Sequence, residues 1–116
     1  MHEFIANFLP VYWFAIIGKL WLTDEYADGT CRKLRGLFWT ALENGHDSIV
    51  LSAFGCGAFA NPPHHIAQLF HLVLNEPNFK GKFKHVVFAI FDDHNARKKH
   101  NPEGNVKPFL DVFGKW

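Results

Sequence analysis

The residues best placed to do chemistry are Gly55, Cys56, Gly57, Ala58, Phe59 and Asn61, inside the run Ser52 to Pro63. Small residues and two glycines between an apolar run, Ile49-Val50-Leu51, and an amphipathic run, His64 to Leu74, let a ligand come close to the main chain. A helix starting there presents N–H groups with no partner inside the helix, and these suit an anion such as a phosphate. The chemistry indicated is recognition of a phosphate by backbone amides. The glycine pattern is neither the dinucleotide fingerprint nor a P-loop, because the third glycine and the Lys-Ser/Thr ending are absent. A tight structural turn would use the same residues.

Other groups carry weaker signals. A helix N-terminus lowers a thiol pKa, which would make Cys56 a nucleophile. No His or Asn follows at the spacing of a thiol enzyme, so a small core-filling residue is the preferred reading. His64, His65 and His71 invite a metal, but the i,i+4 partner of His64 is Gln68, a poor ligand. No metal and no cofactor are expected. Asp92 and Asp93 follow an apolar run and could hydrogen-bond a ribose or transfer a proton. Capping or loop solvation is the alternative for both. Phe91 could stack on a base or pack in the core. Arg97-Lys98-Lys99-His100 reads as a solvated charge run, and no nucleic-acid partner is expected.

These residues must be positioned by alternating strands and helices. Val11 to Ile17 is rich in aromatic and β-branched residues and predicts a buried strand, with Lys19 to Asp28 as a connection. Thr30 is a candidate helix cap, with Leu34, Leu37, Phe38, Ala41 and Leu42 on one face and Asn44-Gly45 as the stop. Ser48 to Ala53 predicts a second strand, covered on both sides because its centre is continuously apolar. Pro62 and Pro63 fit the first turn of the next helix, whose buried face is Ile66, Leu69, Phe70, Val73 and Leu74. His85 to Phe91 predicts a third strand, and Pro108 to Phe113 a closing helix. The order β-α-β-α-β-α implies parallel pairing, with ligands held beyond the carboxyl ends of the strands. The Gly-rich loop sits at such an end.

Composition bounds the possibilities. A chain of 116 residues is one domain, and 48% apolar residues argue against disorder. Thirteen Phe favour a real core. A formal net charge of +1 encodes no strong pull toward nucleic acid or membrane. Cys31 and Cys56 form no C-x-x-C pair, so reduced thiols in the cytoplasm are expected, with the nucleus as an alternative location. Phe4 to Leu22 is apolar, but Asn7, Pro10, Gly18 and Lys19 interrupt it, and Val11 to Ile17 falls far short of the ~20 residues of a spanning helix. A membrane role is therefore not expected.

Asn44-Gly45-His46-Asp47, the string Val50 to Pro63, and then Ala67 and Phe70 resemble the microbial-type poly(ADP-ribose) glycohydrolase family, a branch of the macro-domain superfamily. Phe83 to Ile90, Asn101 to Val106 and Pro108-Phe109 resemble the closing segment of that family. The Gly-Cys-Gly-Ala-Phe-x-Asn-Pro-Pro string is the most specific part. The likeness runs over about residues 30–114, with 1–29 divergent, within a single partial domain of residues 1–116. It implies a three-layer α/β/α parallel sheet, truncated in its N-terminal half, that binds ADP-ribose. The implied contacts are Gly55, Cys56, Gly57, Ala58 and Phe59 to the diphosphate by backbone, Asn61 for loop shape, and Phe91 and Asp92 beside the adenosine half. Family members also carry a glycine-rich loop with adjacent glutamates, one of which is the general acid. Here Glu3, Glu25, Glu43, Glu76 and Glu103 are each isolated and no Gly-Gly occurs, so no catalytic residue is assigned. The expectation is an ADP-ribose-binding module without hydrolysis. The alternatives are an active glycohydrolase completed by another chain, or a non-enzymatic interaction protein whose open sheet edge recruits a second copy or a partner.

Overall fold

The computed structural model describes residues 13–16, 19–57 and 60–114. The element order is β1 (Trp13–Ile16), β2 (Lys19–Leu22), α1 (Asp24–Glu43), β3 (Ser48–Leu51), α2 (Pro63–Leu74), β4 (His85–Phe88) and α3 (Val106–Phe113). The class is α/β with a parallel sheet: β3 and β4 pair in parallel, with Ser48 opposite His85 and Leu51 opposite Phe88. The apolar run near the N-terminus takes a different partner from the one expected. Trp13–Ile16 pairs antiparallel with Lys19–Leu22, so the segment expected as a connection supplies a strand. Of the interrupted apolar run Phe4 to Leu22, residues 4–12, 17 and 18 lie outside the described residues. No helix among the described residues is long and apolar enough to cross a membrane.

Helix α1 starts six residues before Thr30. Thr23 occupies the N-cap position, and Asp24 and Glu25 stand in the first turn, where the helix dipole favours negative charge. Thr30 is buried inside the helix, and its hydroxyl donates to the Tyr26 carbonyl at 2.8 Å. The stop at Asn44-Gly45 is as expected. Gly45 has φ +78°, its N–H reaches Leu42 O at 3.0 Å, and the His46 N–H reaches Ala41 O at 3.0 Å. These two hydrogen bonds make the Schellman closure, which needs a residue tolerant of the left-handed region.

Helix α2 begins at Pro63, with Pro62 at the N-cap, and buries Ile66, Ala67, Leu69, Phe70, Val73 and Leu74. Phe70 is the hub of the core, with ring centroids 6.3 Å from Phe38, 6.3 Å from Phe54, 5.2 Å from Phe88 and 6.1 Å from Phe109. Offset and edge-on aromatic packing at these separations adds to the area each ring buries. Arg35 on α1 reaches Glu76, just past α2, through a two-toothed ion pair with contacts of 2.7 to 3.1 Å.

The parallel pair is covered on one face only among the described residues. Leu51 is buried, and Ile49, Val86 and Phe88 pack against the core, while the cross-strand partners Val50 and Val87 are 70% and 51% exposed. The expectation that the second strand is covered on both sides is thereby corrected. A three-residue apolar run does not by itself distinguish a doubly covered strand from a singly covered one.

Candidate functional site

The Gly-rich loop leaves the carboxyl end of β3 and enters α2. Its first residues are anchored from beneath: Phe54 and Cys56 point into the core, 3% and 0% exposed. Gly55 adopts φ +77°, a conformation that glycine takes without strain. Among the described residues, three backbone bonds close the loop on itself. The Cys56 N–H donates to Ala53 O at 2.8 Å, Ala60 N–H to Gly57 O at 3.0 Å, and Asn61 N–H to Gly55 O at 2.9 Å. Cys56 and Asn61 therefore shape the loop, and their amides are already engaged. The N–H of the partly exposed Gly57 has no acceptor among the described residues, and neither do those of Ala53, Phe54 and Gly55. Ala58 and Phe59 lie outside the described residues.

Asn61 is fully buried, and neither its Oδ1 nor its Nδ2 finds a hydrogen-bond partner among the described residues. A buried amide without partners costs about 1–3 kcal/mol per unsatisfied group. Its place is at the closing corner of the loop, one residue before the prolines that start α2.

The opposite wall is the loop from Asp92 to Asn105. Asp92 Oδ1 accepts the N–H of Asn105 at 2.7 Å and of Val106 at 3.2 Å, tying the carboxyl end of β4 to the start of α3. This is the capping alternative left open by the sequence, and it leaves Asp92 acting on loop shape. Asp93 Oδ1 accepts the Asn95 N–H at 2.8 Å. Asn101 is buried and donates to Asn95 O and Asn105 Oδ1, both at 2.8 Å, while its own Oδ1 accepts the Lys98 N–H at 2.8 Å. Phe91 is 74% exposed at the rim and does not pack in the core.

The residue that sequence reasoning missed is His100. The run Arg97 to His100 reads as solvated, yet His100 is 5% exposed, and its Nε2 lies 2.6 Å from the Cys56 carbonyl oxygen. A carbonyl only accepts, so Nε2 carries the proton. Burial lowers the pKa of this imidazole, and Lys98 adds to the effect against the opposing bond to Cys56. The contact spans 44 residues of chain, so no local pattern could have signalled it.

The remaining candidates resolve into structural roles. Burial pushes the Cys56 thiol well above its ordinary range, the reverse of what activates a nucleophile. His65 Nδ1 accepts the Leu22 N–H at 2.9 Å and docks β2 onto α2. His64 packs edge-on against Trp21. No three His, Cys, Asp or Glu side chains gather as metal ligands among the described residues. A groove of about 160 Å³ between β4 and α3 is lined by Phe88, Ile90, Phe109 and Phe113 among others; it is apolar, and none of its lining residues belongs to the Gly-rich loop.

No protein-family model matches the chain. No curated protein matches it either. Solved structures do. The fold is similar to the poly(ADP-ribose) glycohydrolase of Deinococcus radiodurans crystallised in complex with ADP-ribose, at 26% identity and a TM-score of 0.66, covering 78% of this chain and 34% of that one. It is also similar to the poly(ADP-ribose) glycohydrolase of Thermomonospora curvata, at 35% identity and a TM-score of 0.55, covering 72% of this chain and 30% of that one. The resemblance read from the sequence is present in the fold as well. The chain spans about a third of the length of these proteins.

Proposed function

We propose that this chain binds ADP-ribose, holding the diphosphate against the backbone at Gly57, and that it does not cleave a glycosidic bond by itself. The observation that carries the reading is the Gly57 N–H. It has no acceptor among the described residues, and it lies between the Cys56 N–H and the Ala60 and Asn61 N–H groups, which the loop's own carbonyls take up. Among the described residues, a β-carbon built on Gly57 meets nothing nearer than Asn95 Nδ2 at 3.8 Å, so the backbone there is not crowded by their side chains. Amides at a strand-to-helix bend are general anion receptors. In this reading Gly55 and Asn61 set the loop, Ala58 and Phe59 complete it, and the exposed Phe91 stacks on the adenine. Asp92 holds the facing wall, and the two similar glycohydrolases supply the chemical class of the ligand.

The second half of the proposal rests on the carboxylates. A general acid at neutral pH needs a raised pKa. Glu76 is held below its ordinary value by Arg35, and Glu103 is paired with Lys107. Asp92 and Asp93 are engaged by backbone N–H groups of their own loop. Calorimetric titration with ADP-ribose should give a single binding event for the wild type and none for Gly57→Glu. Incubation with poly(ADP-ribose) should release no ADP-ribose. A silent wild-type titration overturns the first half, and release of ADP-ribose overturns the second.

A second reading, hydrolysis completed by another chain, is favoured by the bare sheet face at Val50 and Val87. Parallel sheets are stable with both faces covered. That reading expects ADP-ribose release only after a second polypeptide is mixed in.

A further inference from the structure

The geometry points to His100 as a positioning residue that aims the Gly57 N–H out of the loop by holding the Cys56 carbonyl inward. The inference rests on the ADP-ribose reading above and adds the group that orients its donor. The carbonyl of Cys56 and the N–H of Gly57 belong to one peptide plane. In a trans peptide these two groups point in opposite directions. His100 Nε2–H grips that carbonyl at 2.6 Å from the buried side. The N–H of the same plane is thereby turned to the other side, where it meets no acceptor among the described residues.

The next plane is fixed as well, because the Gly57 carbonyl accepts the Ala60 N–H at 3.0 Å. Both peptide planes at Gly57 are therefore set before a ligand arrives. Pre-set donors cost no reorganisation on binding, which is why they recognise anions well. A glycine in a free loop would otherwise sample many orientations of this amide.

His100 is itself held by a rigid wall. Asn101, its neighbour, bonds Asn95 O, Asn105 Oδ1 and the Lys98 N–H. Asp92 fastens the far end of that wall at Asn105 and Val106. The imidazole thus ties the Asp92–Asn105 loop to one peptide of the Gly-rich loop.

The test uses the full chain labelled with nitrogen-15, with the Gly57 amide resonance assigned, and ADP-ribose and inorganic pyrophosphate as probes. His100→Leu removes the donor. It should shift the Gly57 amide in the free protein and weaken ADP-ribose binding about tenfold, with the resonances of core residues such as Phe70 in place. His100→Gln can present its side-chain N–H to the same carbonyl, and should restore both readouts to within about threefold of wild type. His100→Asn, whose amide stops short of the carbonyl, takes the place of the leucine variant should that one unfold. The inference is overturned if His100→Leu or His100→Asn leaves the Gly57 amide at its wild-type position. It is equally overturned if His100→Gln is as weak as His100→Asn, which would mark a packing role only. Should the wild type bind neither probe, the ADP-ribose reading fails, while the Gly57 resonance of the free proteins still decides the orientation.

Discussion

Replacing Gly57 by alanine separates a ligand cradle from a structural turn, because the two make opposite demands on that position. A turn glycine is needed for its own conformation, as at Gly45 and Gly104, with φ +78° and +85°. Gly57 is not among the left-handed residues, and among the described residues a β-carbon there meets only Asn95 Nδ2 at 3.8 Å, an ordinary contact. The fold therefore accepts the methyl group. Loss of backbone freedom in the unfolded chain should stabilise the variant by about 0.4–1 kcal/mol. A phosphate oxygen at the Gly57 N–H would, in contrast, be displaced by the same methyl. Losing one hydrogen bond to a charged group costs about 1.5–3 kcal/mol. That corresponds to roughly 10- to 150-fold in Kd. The assays are a urea melt and a calorimetric titration with ADP-ribose on the same preparation. Gly57→Ala should melt at or above the wild-type midpoint and bind at least about tenfold more weakly. A variant that binds like wild type would refute the backbone approach at this residue, and one that melts well below wild type would return the loop to a purely structural role.

Further outcomes follow from the wiring around the loop. Burial drops the His65 pKa from 6.5 to about 4, so the folded state favours the neutral ring that accepts the Leu22 N–H. The unfolded chain then binds more protons between those values, and stability should fall by about 1–2 kcal/mol between pH 6.5 and 4, after allowance for partial exposure. Urea melts of wild type and His65→Gln across that window check it, the variant lacking this part of the slope. Gly104→Ala forces a β-carbon to 2.5 Å from Asp92 Oδ2 at a residue with φ +85°, and should cost more than the ~1 kcal/mol of a minor backbone strain. Asp92→Ala should cost about 0.5–2 kcal/mol through the lost cap on Asn105 and Val106; thermal melts read both. Cys31 and Cys56 are buried free thiols with raised pKa values. A thiol reagent at pH 8 should label neither until denaturant is added.

What the sequence made legible was local. The Asn44-Gly45 stop, the proline start of α2 and its buried face depend on residues a few positions apart, and they stand where the pattern placed them. The start of α1 was misjudged because Asp28-Gly29-Thr30 looks like a break, while Thr23-Asp24-Glu25 suits a helix start better. Gly29 costs the helix only about 1 kcal/mol against alanine, too little to end it. The β1–β2 hairpin was hidden because Gly18-Lys19 interrupts the apolar pattern. Contacts between distant segments left no trace at all. His100 lies in a basic run that gives no sign of turning inward, and Val50 sits in a run that reads as doubly covered. The Gly-rich string was legible as a whole, but which of its amides remain available depends on bonds that only the folded loop defines.

Among the described residues, the side chains that anchor the loop are buried in the core, and this separates binding from whatever the open face of the sheet does. Phe54 and Cys56 root the loop in the core, His100 fixes its exposed peptide, and the Gly55–Asn61 bond closes it. Val50 and Val87, in contrast, are exposed on the sheet. A charge placed on the open face should therefore leave ligand affinity alone while repelling any apolar cover. Val50→Lys loses only strand preference at an exposed position, about 1 kcal/mol or less. ADP-ribose binding by the isolated variant should stay within about threefold of wild type. Any release of ADP-ribose that depends on an added second chain should disappear, since burying an unpaired lysine against an apolar layer costs several kcal/mol. If the variant unfolds or loses ADP-ribose affinity, the face at Val50 is coupled to the loop, and binding and completion of the fold are one event rather than two.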